Sequence, residues 1–334
     1  MTLIKYIAWH VPQGCITNND LAVRFPSLKI KELTRLTGVE QRHVAAFDET
    51  SSDLAVKAAE KLFSENNIDK SLIDFIIFCT SGGDYITPAS ACIIQNRLGL
   101  SQHCGAFDFN QGCTGYLYGL SLADSLIKAG NAQQVLLLTG ETTHRIIHPK
   151  DPNTLALFGD GASATLLEKS AENNIGQFIF GTDGSQYDQI IVRHGRERFP
   201  LPESSEPDYT DAFGNIKNHA KLYMNGGTVF NFTLEKAPAL FNQLLKDAGK
   251  TPDEIDYFVF HQANRIVLET LGKKLKLPAE KIIIELNEVG NTVSSSIPIS
   301  IKKAMDKGVI KKGNTIMVAG FGVGLSWGGS IITI

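Results

Sequence analysis

The chain repeats its own grammar. Ile73-Asp-Phe-Ile-Ile-Phe78 returns as Ile255-Asp-Tyr-Phe-Val-Phe260, an offset of 255 − 73 = 182 residues. Each copy follows an amphipathic helical pattern. In the first, Leu54, Ala58 and Leu62 line up with Ala55, Ala59 and Phe63; in the second, Ala237, Leu240, Phe241, Leu244 and Leu245 form the apolar face. Three further pairs come in the same order. Gln95–Leu100 faces Gly272–Leu277 (272 − 95 = 177), Gly112-Cys113-Thr114 faces Gly290-Asn291-Thr292 (290 − 112 = 178), and Gln134–Gly140 faces Asn314–Gly320 (314 − 134 = 180). One pair is chance; four in order are a duplicated half. Both halves alternate helices with short, continuous apolar strands, the pattern of sheets covered on both faces. Two such halves side by side predict an α/β body in five layers, αβαβα. The division falls into residues 1–172 and 173–334, within the irregular stretch 169–176.

Composition excludes several classes of function. The 334 residues are 43% hydrophobic and 20% charged, which suits a globular chain with an ample core. A net charge of −3 gives no reason to expect nucleic acid or an anionic membrane as partner. No apolar run approaches the roughly 20 residues that span a bilayer. The start, MTLIKYIAWHVPQG, lacks the basic and apolar blocks of a signal peptide, so a cytoplasmic location is expected. Residues 193–220, rich in Pro, Ser and charge, read as a long surface excursion, either a pocket wall or a disordered loop.

Five cysteines without a CxxC pair argue against a disulfide framework and a cysteine-rich zinc site, and no HExxH occurs. No metal is expected. Cys113 nevertheless stands apart, because it lies at a strand-to-helix corner between Gly112 and Gly115. Three readings compete there: a buried packing residue, a metal ligand and a nucleophile. Unpaired helix amides at such a corner would lower a thiol's pKa. His261 ends the strand Tyr257–Phe260 and opens the helix after it, and Asn291 occupies the corner paired with Cys113. A lone histidine at a strand end is commonly structural. A Cys, a His and an Asn drawn from two halves also suit an acyl-transfer site.

The motifs Gln111-Gly-Cys113-Thr-Gly115, Phe158-Gly-Asp-Gly-Ala162, His261-Gln-Ala-Asn264, Gly290-Asn291-Thr292 and Phe321–Gly328 together resemble β-ketoacyl-acyl carrier protein synthase III, a condensing enzyme of the thiolase superfamily. The resemblance spans nearly the whole chain and implies a thiolase-like duplicated fold. It implies that Cys113 takes an acyl group from an acyl thioester, acyl-CoA or acyl carrier protein. His261 and Asn291 would then stabilise the enolate formed as a malonyl thioester loses CO2. Backbone amides of Cys113 and the Gly322–Val323 region would hold the tetrahedral oxyanion. Ile86, Phe158, Gly226 and Val323 become substrate-binding positions. No metal or redox cofactor is implied, and a homodimer is, with Ile86 reaching the partner's pocket.

Several positions depart from the family pattern. The adenine-stacking Trp falls on Glu32 and its Arg partner on Pro152, and the aromatic residue limiting the acyl pocket falls on Ile86. Nucleotide recognition is thereby weakened, and a primer other than acetyl is expected. Arg265, Lys273 and Lys274 lie opposite an expected apolar face of Ile266, Val267, Leu271 and Leu275. They form either a solvated helix face or a docking rim for an acidic acyl carrier protein. Other readings are a relative making esters, amides or specialised polyketides, a non-catalytic partner subunit, and a cysteine peptidase. The last leaves the duplication unexplained.

Overall fold

A computed structural model describes residues 1–172, 174–202, 206–211 and 214–334. β1 (Thr2–His10) leads to a short hairpin of β2 (Cys15–Thr17) and β3 (Gln41–His43), with helices α1 (Asn18–Arg24) and α2 (Ile30–Thr37) between them. Then come α3 (Ser51–Asn66), β4 (Phe75–Cys79), α4 (Ser90–Arg97), β5 (Gly105–Phe109), α5 (Gly115–Lys128), β6 (Gln134–Glu141), α6 (Pro152–Leu155) and β7 (Gly161–Lys169). They build a sheet in the order β1-β7-β6-β4-β5, with β4 parallel to both β5 and β6.

β8 (Ile179–Thr182) opens the second sheet. The chain then makes its excursion through β9 (Ile190–Ile191), β10 (Tyr209–Thr210), β11 (Ile216–Lys217) and β12 (Tyr223–Met224). It continues as α7 (Gly226–Ala248), β13 (Tyr257–Phe260), α8 (Arg265–Leu275), α9 (Ser296–Asp306), β14 (Thr315–Gly322) and β15 (Ser326–Thr333). Read from one edge, the second sheet is β8-β15-β14-β13, which repeats β1-β7-β6-β4 strand for strand. The counterpart of β5 shrinks to a parallel bridge between Phe258 and Ile282. The first sheet ends with β7 at Lys169 and the second begins with β8 at Ile179. Residue 173, where the sequence places the division, lies outside the described residues.

Strand alternation sorts the layers. Ile77 and Leu137 face inward with Val259 and Val318 of the other sheet, and Leu117, Leu120, Ile297 and Ile301 of α5 and α9 fill the space between. Their neighbours Ile76, Phe78 and Leu136 face outward onto Leu54, Ala58 and Leu62 of α3. Phe258, Phe260 and Met317 likewise meet Leu240, Phe241 and Leu244 of α7. The order is αβαβα, as the periodicity predicts. Each Leu or Ile so buried contributes about 1.5–3 kcal/mol. No described helix is long and apolar enough to cross a membrane.

The structure corrects the register of the repeat at one corner. β4 and β13 begin at 257 − 75 = 182, and α5 and α9 at 296 − 115 = 181. Each of these two helices is entered through one 3-10 turn, Gly112–Thr114 and Val293–Ser295. Gly112 and Val293, which open those turns, have φ of 50° and 51°. The residue equivalent to Cys113 is therefore Ser294, and Asn291 lies three positions before it. The Gly-X-Thr letters shared by the two segments concealed this. Gly290, with φ 68°, serves a different turn, which lays Asn291 beside Phe158.

Candidate active site

Cys113 is held where backbone crowds backbone. A Cβ on Gly322, at the end of β14, would overlap Cys113 Sγ, and one on Gly115 would overlap Cys79 Sγ. Only glycine lets the second sheet's strand end approach the thiol so closely. The N–H groups of Val323 and of Cys113 itself face the sulfur, where they favour the thiolate. Burial outweighs them and, with the Glu141 charge opposing as well, pushes the thiol up to about 11. The lowered thiol expected from the helix terminus is thus reversed, because desolvation dominates.

His261 is 5% exposed, with Nδ1 2.7 Å from Ser296 Oγ. The same oxygen accepts the Gln262 N–H at 3.3 Å. With Ser296 Oγ on Nδ1, it is the Nε2–H tautomer that leaves a donor for the cleft. Burial lowers the imidazole to about 4, against the Val293 carbonyl, so it is neutral at ordinary pH. The helix after it opens at Arg265 and not at His261, because Asn264 takes the N-cap and accepts from Val267 N–H at 2.9 Å. Asn291 is also buried. Its Oδ1 accepts the Val293 N–H at 2.9 Å, and its Nδ2 has only a long contact, 3.4 Å, with Ala263 O.

All three side chains line one cleft of about 960 Å³, together with Phe158, Gly226 and Val323. Leu157, Ile190, Leu222, Met224 and Phe230 give it apolar walls, and His194, Gly195, Arg196 and Leu201 close one side. His194–Arg196, Leu201 and Ala220 of the excursion therefore serve as pocket wall; its residues 203–205 and 212–213 lie outside the described set. The excursion is tied down by a buried Lys217–Asp151 pair and by His148 Nε2 to Asp208 at 3.0 Å. A second depression, of about 940 Å³, is lined by charges that largely pair off: Lys57 with Glu49, Arg97 with Asp53.

Other expected positions fall elsewhere. Ile86 is 90% exposed and does not line the cleft of its own chain, because the β4–α4 connection carries it outward with Tyr85. Arg265 is half-buried, packed against Gly38 at the end of α2, between the cleft-lining residues Asn264 and Ile266. Ile266, expected in the packed face of α8, is 40% exposed and lines the cleft. Lys273 and Lys274 are exposed near the other end of α8, away from the lining. Glu32 is exposed on α2, and Pro152 is the first residue of α6. Sequence reasoning missed Ser296 and Glu141. Ser296 stands 296 − 115 = 181 residues after Gly115, and Glu141 follows the apolar run Val135–Leu138, but no motif marks either position.

A duplicated thiolase-like body with a cysteine, a histidine and an asparagine meeting between its halves defines a condensing acyltransferase. The models for 3-oxoacyl-[acyl-carrier-protein] synthase III and for its C-terminal part match residues 107–184 and 245–334. The β-ketoacyl-[acyl-carrier-protein] synthase III of Methylococcus capsulatus is 34% identical over 97% of this chain and 96% of its own length. That of Fusobacterium nucleatum is 35% identical, over 98% and 97%. A crystal structure of a 3-oxoacyl-(acyl-carrier-protein) synthase III superposes with a TM-score of 0.98 at 42% identity, covering 100% of this chain and 99% of that one. The chain belongs to the β-ketoacyl-[acyl-carrier-protein] synthase III family, and it is an acyltransferase of the condensing type.

Proposed function

We propose that the protein loads an acyl group onto Cys113 from an acyl thioester and condenses it with a malonyl thioester, releasing CO2. The observation that carries this reading is the single cleft shared by Cys113, His261 and Asn291. In the first step Cys113 Sγ attacks the thioester carbonyl, and the donor's thiol leaves with the proton. The Cys113 and Val323 amides, which face the sulfur, bind the tetrahedral oxyanion; one such donor is typically worth about 3–4 kcal/mol. In the second step the malonyl C–CO2 bond breaks, and its electron pair becomes an enolate. Nε2–H of His261 and Nδ2–H of Asn291 hold the enolate oxygen. The enolate carbon attacks the acyl-Cys113 carbonyl, and collapse returns the thiolate, which takes a proton from solvent.

The apolar cleft supports a primer larger than acetyl, and exposed Glu32 with Pro152 supports a carrier-bound donor over CoA. Mass spectrometry of Cys113 after exposure to matched acyl-CoA and acyl-carrier thioesters tests both points. Branched or medium-chain carrier thioesters should load fastest; a preference for acetyl-CoA would reverse the reading. We place carrier docking on Arg265, Lys273 and Lys274 of α8. Reversing both lysines to Glu should raise KM for carrier-bound substrate alone, and more so at low salt.

The exposed Ile86 and Tyr85 support a homodimer in which this loop meets the partner's cleft. Sedimentation should give a dimer at micromolar concentration, and Ile86→Asp should release monomers. A wild-type monomer there would sink the proposal.

A further inference from the structure

One carboxyl group beside the site takes no part in these steps. Glu141, at the end of β6, is 2% exposed, and its oxygens accept hydrogen bonds from two separate parts of the site. Ser294 Oγ donates to Oε1 at 2.7 Å. Ser81 N–H donates to Oε2 at 3.1 Å, and Ser81 Oγ lies 3.4 Å from Oε1. Ser81 belongs to the cleft wall. Ser294 belongs to the 3-10 turn whose neighbours fix the malonyl-binding pair: Val293 N–H holds Asn291 Oδ1, and Ser296 Oγ holds His261 Nδ1.

We infer that Glu141 is a positioning residue for the decarboxylation step, its carboxyl tying the Val293–Ser296 turn to the Ser81 wall so that His261 and Asn291 aim at one oxygen. The inference rests on the proposed reading of the site. Space-filling alone gives no reason for a carboxyl here, since burying an ionised one is costly. A tie between two segments that both present donors does need an acceptor with several lone pairs.

The same group brings a charge that can be read out. Burial pushes the Glu141 carboxyl up to about 7, against the bonds from Ser294 and Ser81. The titratable groups facing it are Cys79 from β4, Cys113 from the corner and Asp160 from the loop before β7. As pH rises through about 7 the carboxylate forms, and its charge opposes the negative charge developing on the enolate. On enzyme already acylated at Cys113 no thiol is left there to titrate, and His261 is neutral well above about 4. Asp160, pushed up to about 6 by burial, is present in every variant below.

The test measures CO2 release from a malonyl thioester by pre-acylated enzyme across neutral pH, beside the rate of Cys113 acylation. In wild type, release should fall as pH passes about 7. Glu141→Ala should slow release by about 10²-fold, the scale of misplacing a reacting group, while Cys113 still acylates near the wild-type rate. Glu141→Gln should restore most of that rate and abolish the fall. Its Oε1 can accept from Ser81 N–H while its Nε2 donates to Ser294 Oγ, and an amide has no proton to lose. Ser294→Ala removes a bond that lowers the carboxyl and should move the fall to higher pH; with Glu141→Gln it decides the matter even if Glu141→Ala does not fold. Equal slowing of both half-reactions with a matching loss of Tm, no slowing of either, or an unchanged pH profile in Glu141→Gln would overturn the inference. A wild type that never acylates Cys113 would overturn the reading of the site itself, which separates the two failures.

Discussion

Replacing Cys113 with alanine should abolish acyl loading and lower product formation by about 10⁵-fold or more, the scale of losing a covalent nucleophile. Among the described residues no second thiol lines the cleft to take over. Cys79 is fully buried behind Gly115, Cys15 and Cys92 are exposed elsewhere, and Cys104 is outside the lining. Cys113→Ser should be little better than alanine. Burial already pushes the thiol up to about 11, and a hydroxyl in the same corner ionises far less readily. It follows that loading in the wild type should quicken steadily as pH rises through neutrality and level off only toward about 11. Stopped-flow release of the donor's thiol, with mass spectrometry of the intact protein, measures this directly. An alanine variant that turns over normally would sink the nucleophile, and a loading rate already flat at neutral pH would mean that something ionises the thiol in the pocket.

The parts of this protein legible in its sequence are those where physics leaves a period. Apolar faces at helical spacing and short apolar strands recur because the two sheets share a middle layer of α5 and α9, so the duplication reveals the five layers. Cys113, His261 and Asn291 were legible because a strand end or a turn brings each to the junction of the halves. The corner register was not. Gly112 and Val293 perform the same turn at φ 50° and 51° with unrelated side chains, so letters could not align them. The side of α8 that faces the cleft was not legible either. One residue along a helix is a rotation of about 100°, enough to set Arg265 against Gly38 while Ile266 lines the cleft. Ser296 and Glu141 act through other side chains, and a single sequence carries no period for such contacts.

His261→Ala and Asn291→Ala should each leave Cys113 acylation intact while slowing malonyl decarboxylation by about 10²–10³-fold, the scale of removing one donor from a developing oxyanion. The argument turns on protonation. With its imidazole lowered to about 4, His261 is neutral at working pH, so it stabilises the enolate as a hydrogen-bond donor and not as a cation. Ser296 Oγ engages Nδ1, so the tautomer this role requires carries its proton on Nε2. Asn291 is oriented in parallel: Val293 N–H occupies its Oδ1, which turns Nδ2–H outward. Two donors serving one oxygen should not act independently. The double variant should therefore lose less than the product of the single losses, because the first removal already lets the enolate shift. Measuring CO2 release and Cys113 loading on the same preparations separates the alternatives. If His261→Ala slows loading as much as decarboxylation, His261 is instead the base that takes the thiol proton.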